Sequence, residues 1–199
     1  MKIVDLSIPL NDKTPVYPGD SKLEIEQIAE VDKNGWSEKR LHLNTHCSTH
    51  LDAPAHMLKN GKNLDQLPLD KFYGKGIIID VRKKEIGLDC LKGVSANDVV
   101  LFLTGQSKKK NYFEGAKFMS EDVAKKLVEL KTKAIGLDSF SPDKEPYPIH
   151  KILMPHDIII IENLTNLEVL LNKKFEIHYF PLKITEGDGA PCRAVAFIQ

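Results

Sequence analysis

The sequence predicts a mixed α/β fold dominated by strands, as one domain over residues 1–199, and three observations carry that expectation. Short apolar runs rich in β-branched residues recur at 77–80, 99–104, 134–138 and 158–162, each of a length that suits a buried strand. One stretch alone, 120–130, carries a clear helical stripe. Proline and glycine punctuate the connections between them, and a chain of 199 residues is long enough to bury a substantial core.

In chain order, residues 2–8 read as a first strand and Thr14-Pro-Val-Tyr-Pro-Gly-Asp20 as a rigid, turn-rich loop. Leu23, Ile25 and Gln27 alternate with Glu24, Glu26 and Ile28. That pattern predicts an exposed strand over 23–31, paired with 36–46 across Asp32-Lys-Asn-Gly35. Alternation continues through 40–50, with Leu41, Leu43, Thr45 and Cys47 on one side and His42, Asn44, His46, Ser48 and His50 on the other. The strand is therefore expected to reach His50 and to enter a loop at Pro54.

Further on, 106–115 reads as a solvated loop with Lys108, Lys109 and Lys110. Ser120 is placed to cap a helix whose first turn carries Glu121 and Asp122 and whose apolar side is Val123, Leu127, Val128 and Leu130. A proline-punctuated loop over 139–148 leads to a short helix expected at 150–155. Strands over 175–184 and 192–198 close the chain around the turn at 186–191.

The richest chemistry lies in His46-Cys-Ser-Thr-His50-Leu-Asp52-Ala-Pro-Ala-His56, which gathers three histidines and a carboxylate within eleven residues. Imidazole and carboxylate together suit zinc, manganese or iron(II), and a catalytic ion takes about three protein ligands and a water. His46, His50 and Asp52 stand at even offsets, on one face of a strand. His56, two residues past Pro54, is free for acid–base work, its ordinary pKa being about 6.5. Glu162 ends an apolar strand and needs a partner, but Asp80 and Asp138 end apolar strands too, and pattern does not choose among them. His42 shares the face of His46 and is a candidate for supporting the ligands. His156 and His178 read as ordinary surface and strand residues.

Composition narrows the partners. Lysine plus arginine equals aspartate plus glutamate at 28 each, so no nucleic-acid or membrane-surface role is implied, and a small molecule is the expected partner. No apolar run approaches the roughly 20 residues of a membrane span, no secretory signal opens the chain, and a cytoplasmic location is the default. Three cysteines without close pairing argue against a disulfide framework.

The segment His46-x-Ser-Thr-His50-x-Asp52-x-Pro54-x-His56 resembles the His-x-Gly-Thr-His-x-Asp-x-Pro-x-His signature of the cyclase family of metal-dependent hydrolases, which includes bacterial kynurenine formamidases and isatin hydrolases. Ser48 stands where that signature has glycine. His150 followed by Glu162-Asn163-Leu164, and the tail Gly189-Ala-Pro-Cys-Arg-Ala194, extend the likeness over nearly the whole chain. The resemblance implies a swivelling β/β/α fold and a homo-oligomer, a dimer or higher. It implies one or two zinc ions, with manganese as the alternative. His46 and His50 would bind the first ion and His150 the second, with Asp52 and Glu162 bridging. His56 would be the catalytic acid–base. Tyr17 would line the substrate pocket, where the family's matching loop commonly carries tryptophan. The implied reaction is metal-assisted hydrolysis of an amide, N-formyl-L-kynurenine foremost and cyclic amides such as isatin second. A metal kept only for structure is disfavoured, because such a site closes its coordination sphere and has no use for His56 beside it. No Gly-x-Ser-x-Gly elbow provides a serine nucleophile.

Overall fold

The computed structural model describes residues 1–199. Nine strands make one mixed sheet: β1 (Lys2–Asp5), β4 (His50–Asp52), β5 (Tyr73–Asp80), β6 (Val99–Leu103), β7 (Ala134–Leu137), β8 (Ile159–Glu162), β9 (Phe175–His178), β10 (Gly189–Pro191) and β11 (Val195–Ile198). Their order is β1-β11-β9-β5-β6-β7-β8-β4-β10. The central four, β5 to β8, run parallel, and the flanking pairs are antiparallel. The apolar runs read from the sequence are these central strands. They lack polar alternation because both faces are covered. On β6, Val99, Leu101 and Leu103 enter one core cluster, while Val100 and Phe102 enter the other.

There are three α-helices: α1 (Val31–Asn34), outside the main sheet, and α2 (Glu121–Glu129) and α3 (Pro148–Leu153), which pack on it. Helix α2 begins as its sequence predicts, with Ser120 Oγ accepting from the backbone N–H of Val123. Its Val123 and Leu127, with Leu153 of α3, pack on the cluster that holds Val100 and Phe102. No helix is long and apolar enough to cross a membrane.

The remaining strands, β2 (Glu24–Ala29) and β3 (Glu38–His42), form the expected hairpin as a separate two-stranded sheet. The turn between them is the short helix α1, closed by Gly35 at φ 81°. The continuous strand expected over 40–50 is broken: β3 stops at His42, and β4 starts at His50 in the other sheet. The chain must cross from hairpin to main sheet there, and Ser48 turns it at φ 58°, so one alternation spans two strands and a turn. The short helix expected at 150–155 begins earlier, at Pro148, whose fixed φ suits a first helical position. The last two strands end or begin short of their expected bounds, because 179–188 and 192–194 are given to loops.

Candidate metal centre

Strand β4 carries the centre. It lies between β8 and β10, with His50 opposite Glu162 and Asp52 opposite Gly189. A side chain at Gly189 would meet His46 Cε1 at 2.6 Å and the Leu51 carbonyl oxygen at 2.8 Å. Glycine is thus required where β10 passes under the His46 ring. His150, on α3, approaches from across the sheet end, and His56 comes from the 3-10 turn Pro54–His56 just after β4.

Asp52 and Glu162, both buried, divide their oxygens between two histidines. His50 Nε2 lies 3.2 Å from Asp52 Oδ1 and 3.5 Å from Glu162 Oε2. His150 Nε2 lies 3.6 Å from Asp52 Oδ2 and 3.7 Å from Glu162 Oε1. Ligand atoms placed tetrahedrally on an ion with bonds of about 2.0–2.1 Å stand about 3.3 Å apart. The donors are imidazoles and carboxylates, and two carboxylates this deeply buried call for a cation. Set and spacing fit a divalent metal among His50, Asp52 and Glu162, whose ligand atoms lie within 4.8 Å of one another, with His150 Nε2 facing the other oxygens of the same carboxylate pair.

His46 is held differently. Its Nδ1 is 2.7 Å from Asp52 Oδ1 and its Nε2 is 3.0 Å from Asp188 Oδ2. Its ring centroid is 4.0 Å from that of His56. The ligand atoms of His46, Asp52 and His56 lie within 4.8 Å of one another, as do those of His50, Asp52 and Glu162. As the rings stand, His46 and His56 share Asp188 Oδ2, at 3.0 Å from His46 Nε2 and 3.6 Å from His56 Nδ1, while His46 and His50 share Asp52 Oδ1.

The electrostatics follow from this crowding. Burial opposes charge on His46, but the carboxylates of Asp52 and Asp188 outweigh it and push its pKa up to about 9. At His150 burial is likewise overcome, by Asp143, Asp52 and Glu162, and the pKa is pushed up to about 12. Asp52 stays well below the usual carboxylate range despite burial, because His50, His150 and His46 surround it. Glu162 moves the other way, raised by burial and by the facing Asp52 charge. Burial lowers His56.

A cavity of about 530 Å³ opens over the cluster, within the size range of small-molecule pockets. Tyr17, half-exposed, lies on its wall, with Phe113 and Phe140 each 5.9 Å from its ring centroid to centroid. The structure thus brings His46, His50, Asp52, His56, His150, Glu162 and Tyr17 to a single pocket. It leaves out His42, which is exposed on β3 because that strand belongs to the hairpin. The competing strand-end carboxylates are used elsewhere. Asp80 pairs with Arg82 at 2.7 Å, and Asp138 accepts from Thr104 N, Thr104 Oγ1 and Gly105 N at 2.6–2.9 Å.

Two carboxylates escape sequence reasoning. Asp188 lies in a turn read only as a tight connection, although its two flanking glycines signal close backbone approach. Asp143, whose Oδ1 is 2.7 Å from His150 Nδ1, sits in an irregular loop where no period marks it. Phe113 and Phe140 are also loop residues without a pattern.

Comparison with known proteins gives the family and the fold. Residues 4–144 match the Cyclase family model, described as "Putative cyclase". A Salinibacter ruber protein named "Kynurenine formamidase" is 32% identical over 209 residues, covering 98% of this chain and 97% of its own. A solved protein from Bacillus stearothermophilus, titled a "predicted metal-dependent hydrolase", has a TM-score of 0.83 at 27% identity, over 98% of this chain and 97% of that one. Isatin hydrolase A from Ralstonia solanacearum shares the fold, with a TM-score of 0.88 at 24% identity over 100% of this chain and 92% of that one. The family match covers most of the chain, and the chain belongs to the Cyclase family.

Proposed function

We propose that this chain is a metal-dependent amide hydrolase acting on aryl formamides, with N-formyl-L-kynurenine as the first substrate to test. The observation that carries the reading is the divided carboxylate pair, Asp52 and Glu162, set between His50 Nε2 and His150 Nε2 at the floor of an aromatic-walled pocket. The full-length likeness to a kynurenine formamidase supports the substrate class.

In this reading His50, His150, Asp52 and Glu162 hold one or two zinc ions, with His46 Nδ1 beside Asp52 as a further donor; manganese is the alternative. A divalent ion held by these residues would supply Lewis-acid polarisation of a substrate carbonyl and would lower the pKa of water there toward about 7. His56 stands at the pocket wall, next to the cluster, where it takes the proton of the attacking water and returns one to the departing aryl amine. Tyr17, Phe113 and Phe140 present ring faces and edges to the substrate's aryl group, an arrangement that favours stacked or edge-on contact. Homo-oligomerisation belongs to the same proposal through the family resemblance, and sedimentation velocity on the purified chain reads it directly.

The test is formylkynurenine hydrolysis before chelation, after chelation and after zinc or manganese is returned, with metal content measured at each stage. Turnover that disappears and returns with the metal is expected. Bound metal with turnover of isatin alone would move the substrate class to cyclic amides. Hydrolysis unaffected by full removal of metal would refute the reading.

A further inference from the structure

We propose that Asp143 is a positioning residue for His150: its carboxylate holds Nδ1 and thereby presents Nε2 to the face of the cluster made by Asp52 Oδ2 and Glu162 Oε1. The inference rests on the metal-centre reading above and adds a residue to it that touches neither ion nor substrate.

Asp143 does two things with its two oxygens. Oδ1 lies 2.7 Å from His150 Nδ1, while Oδ2 accepts from the backbone N–H groups of Ile149 at 2.6 Å and His150 at 3.2 Å. The same carboxylate therefore binds the first turn of α3 and the ring carried by that turn. Asp143 and His150 are 4% and 3% exposed, so water does not compete for these bonds. With the Nδ1 proton donated to Asp143, the ring's other nitrogen is left as the ligand atom. That nitrogen is the one 3.6 Å from Asp52 Oδ2 and 3.7 Å from Glu162 Oε1. A carboxylate on the far nitrogen of a histidine ligand fixes its tautomer and orientation and raises its basicity.

His50 shows the contrast. Its Nδ1 is 2.8 Å from the backbone carbonyl of Ser48, and Asn163 Nδ2 donates to that same carbonyl at 2.9 Å. One histidine is oriented by a neutral main-chain group that no substitution removes, the other by an anionic side chain. The His150 half is thus the half that a single side-chain change can disturb.

The experiment compares wild type with Asp143→Asn, as full chains, by calorimetric titration with zinc and separately with manganese. Affinity for the ion that contacts His150 is expected to fall about 10- to 100-fold, while the His50-side affinity changes less than about threefold. In a His150→Ala background, Asp143→Asn should add no further loss, since it acts through that ring. A cap of α3 and nothing more would lower thermal stability without singling out one ion. Equal affinities in wild type and Asp143→Asn, or the same loss with and without His150, would overturn the proposal. Imidazole nitrogen NMR on zinc-saturated wild type gives a second test that does not depend on any variant folding. It should show His150 protonated at Nδ1 and ligated through Nε2. Ligation through Nδ1, or His150 left unligated at saturation, would overturn the assignment. A wild type that binds neither zinc nor manganese would instead refute the metal-centre reading itself.

Discussion

The two walls of the centre are built in opposite ways. One wall is a contiguous stretch, His46 to His56, whose order comes from a turn, a three-residue strand and a 3-10 turn in immediate succession. The other is assembled from a loop at Asp143, the helix α3 and the end of β8, twenty residues from first to last. In the first wall, ring orientation at His50 comes from backbone, the Ser48 carbonyl, while His46 is held between the Asp52 and Asp188 carboxylates. In the second, ring orientation comes from a side chain, Asp143. Local chain geometry can be read from spacing, whereas side-chain placement across a loop and a helix depends on how those elements pack.

The contrast divides labour as well as construction, and mutation should separate the two walls. His56→Ala, in the contiguous wall, is expected to lower kcat by about 10²- to 10⁴-fold, the usual worth of general acid–base catalysis, with metal content unchanged. Hydrolytic assay and elemental analysis on the same preparation check this. Wild-type turnover would remove His56 from the chemistry, and loss of metal would place it among the ligands.

Gly189→Ala asks how rigidly the contiguous wall is seated. The new Cβ would meet the His46 ring and the Leu51 carbonyl oxygen below 3 Å, and backbone cannot step aside as a flexible side chain does. Overpacking of this kind costs about 1–3 kcal/mol, which a urea titration resolves. A stability equal to wild type would mean that His46 and β10 are looser than the contacts imply.

A smaller effect is expected at the pocket wall. Tyr17→Ala removes aromatic contacts worth about 0.5–1.5 kcal/mol, so KM for an aryl formamide should rise about 2- to 10-fold while kcat holds. Unchanged kinetics would take Tyr17 out of substrate contact.

Ser48→Gly should do least. Glycine relieves a positive φ that costs a side-chain-bearing residue about 1–2 kcal/mol, but it deletes the Ser48 Oγ hydrogen bond to the Ile8 carbonyl oxygen, worth about 1 kcal/mol. It also frees the unfolded chain. The net change in unfolding free energy should stay within about 1 kcal/mol, and a change beyond about 2 kcal/mol in either direction would show that this turn is not balanced in that way.

The sequence reveals most where a residue's job is local. The central strands are evident because burial on both faces leaves uninterrupted apolar runs, and α2 because its cap and stripe lie within eleven residues. The ligand-bearing stretch stands out because its donors are neighbours in the chain. The strand break between His42 and His50 is invisible to alternation, since a turn placed between two short strands can keep the same parity. Asp80 and Asp138 look equivalent to Glu162 until sheet order is known. Only Glu162 sits on the strand that pairs with β4. Asp143 and Asp188 are missed because each acts from a loop, through contacts with residues 7 and 142 positions away.

The most direct test of the central claim is anomalous diffraction from crystals loaded with zinc. The account predicts density between the Asp52–Glu162 pair and His50 Nε2, His150 Nε2 or both, about 2.0–2.2 Å from the ligand atoms. Zinc bound only elsewhere, or no zinc at saturating concentration, would contradict it.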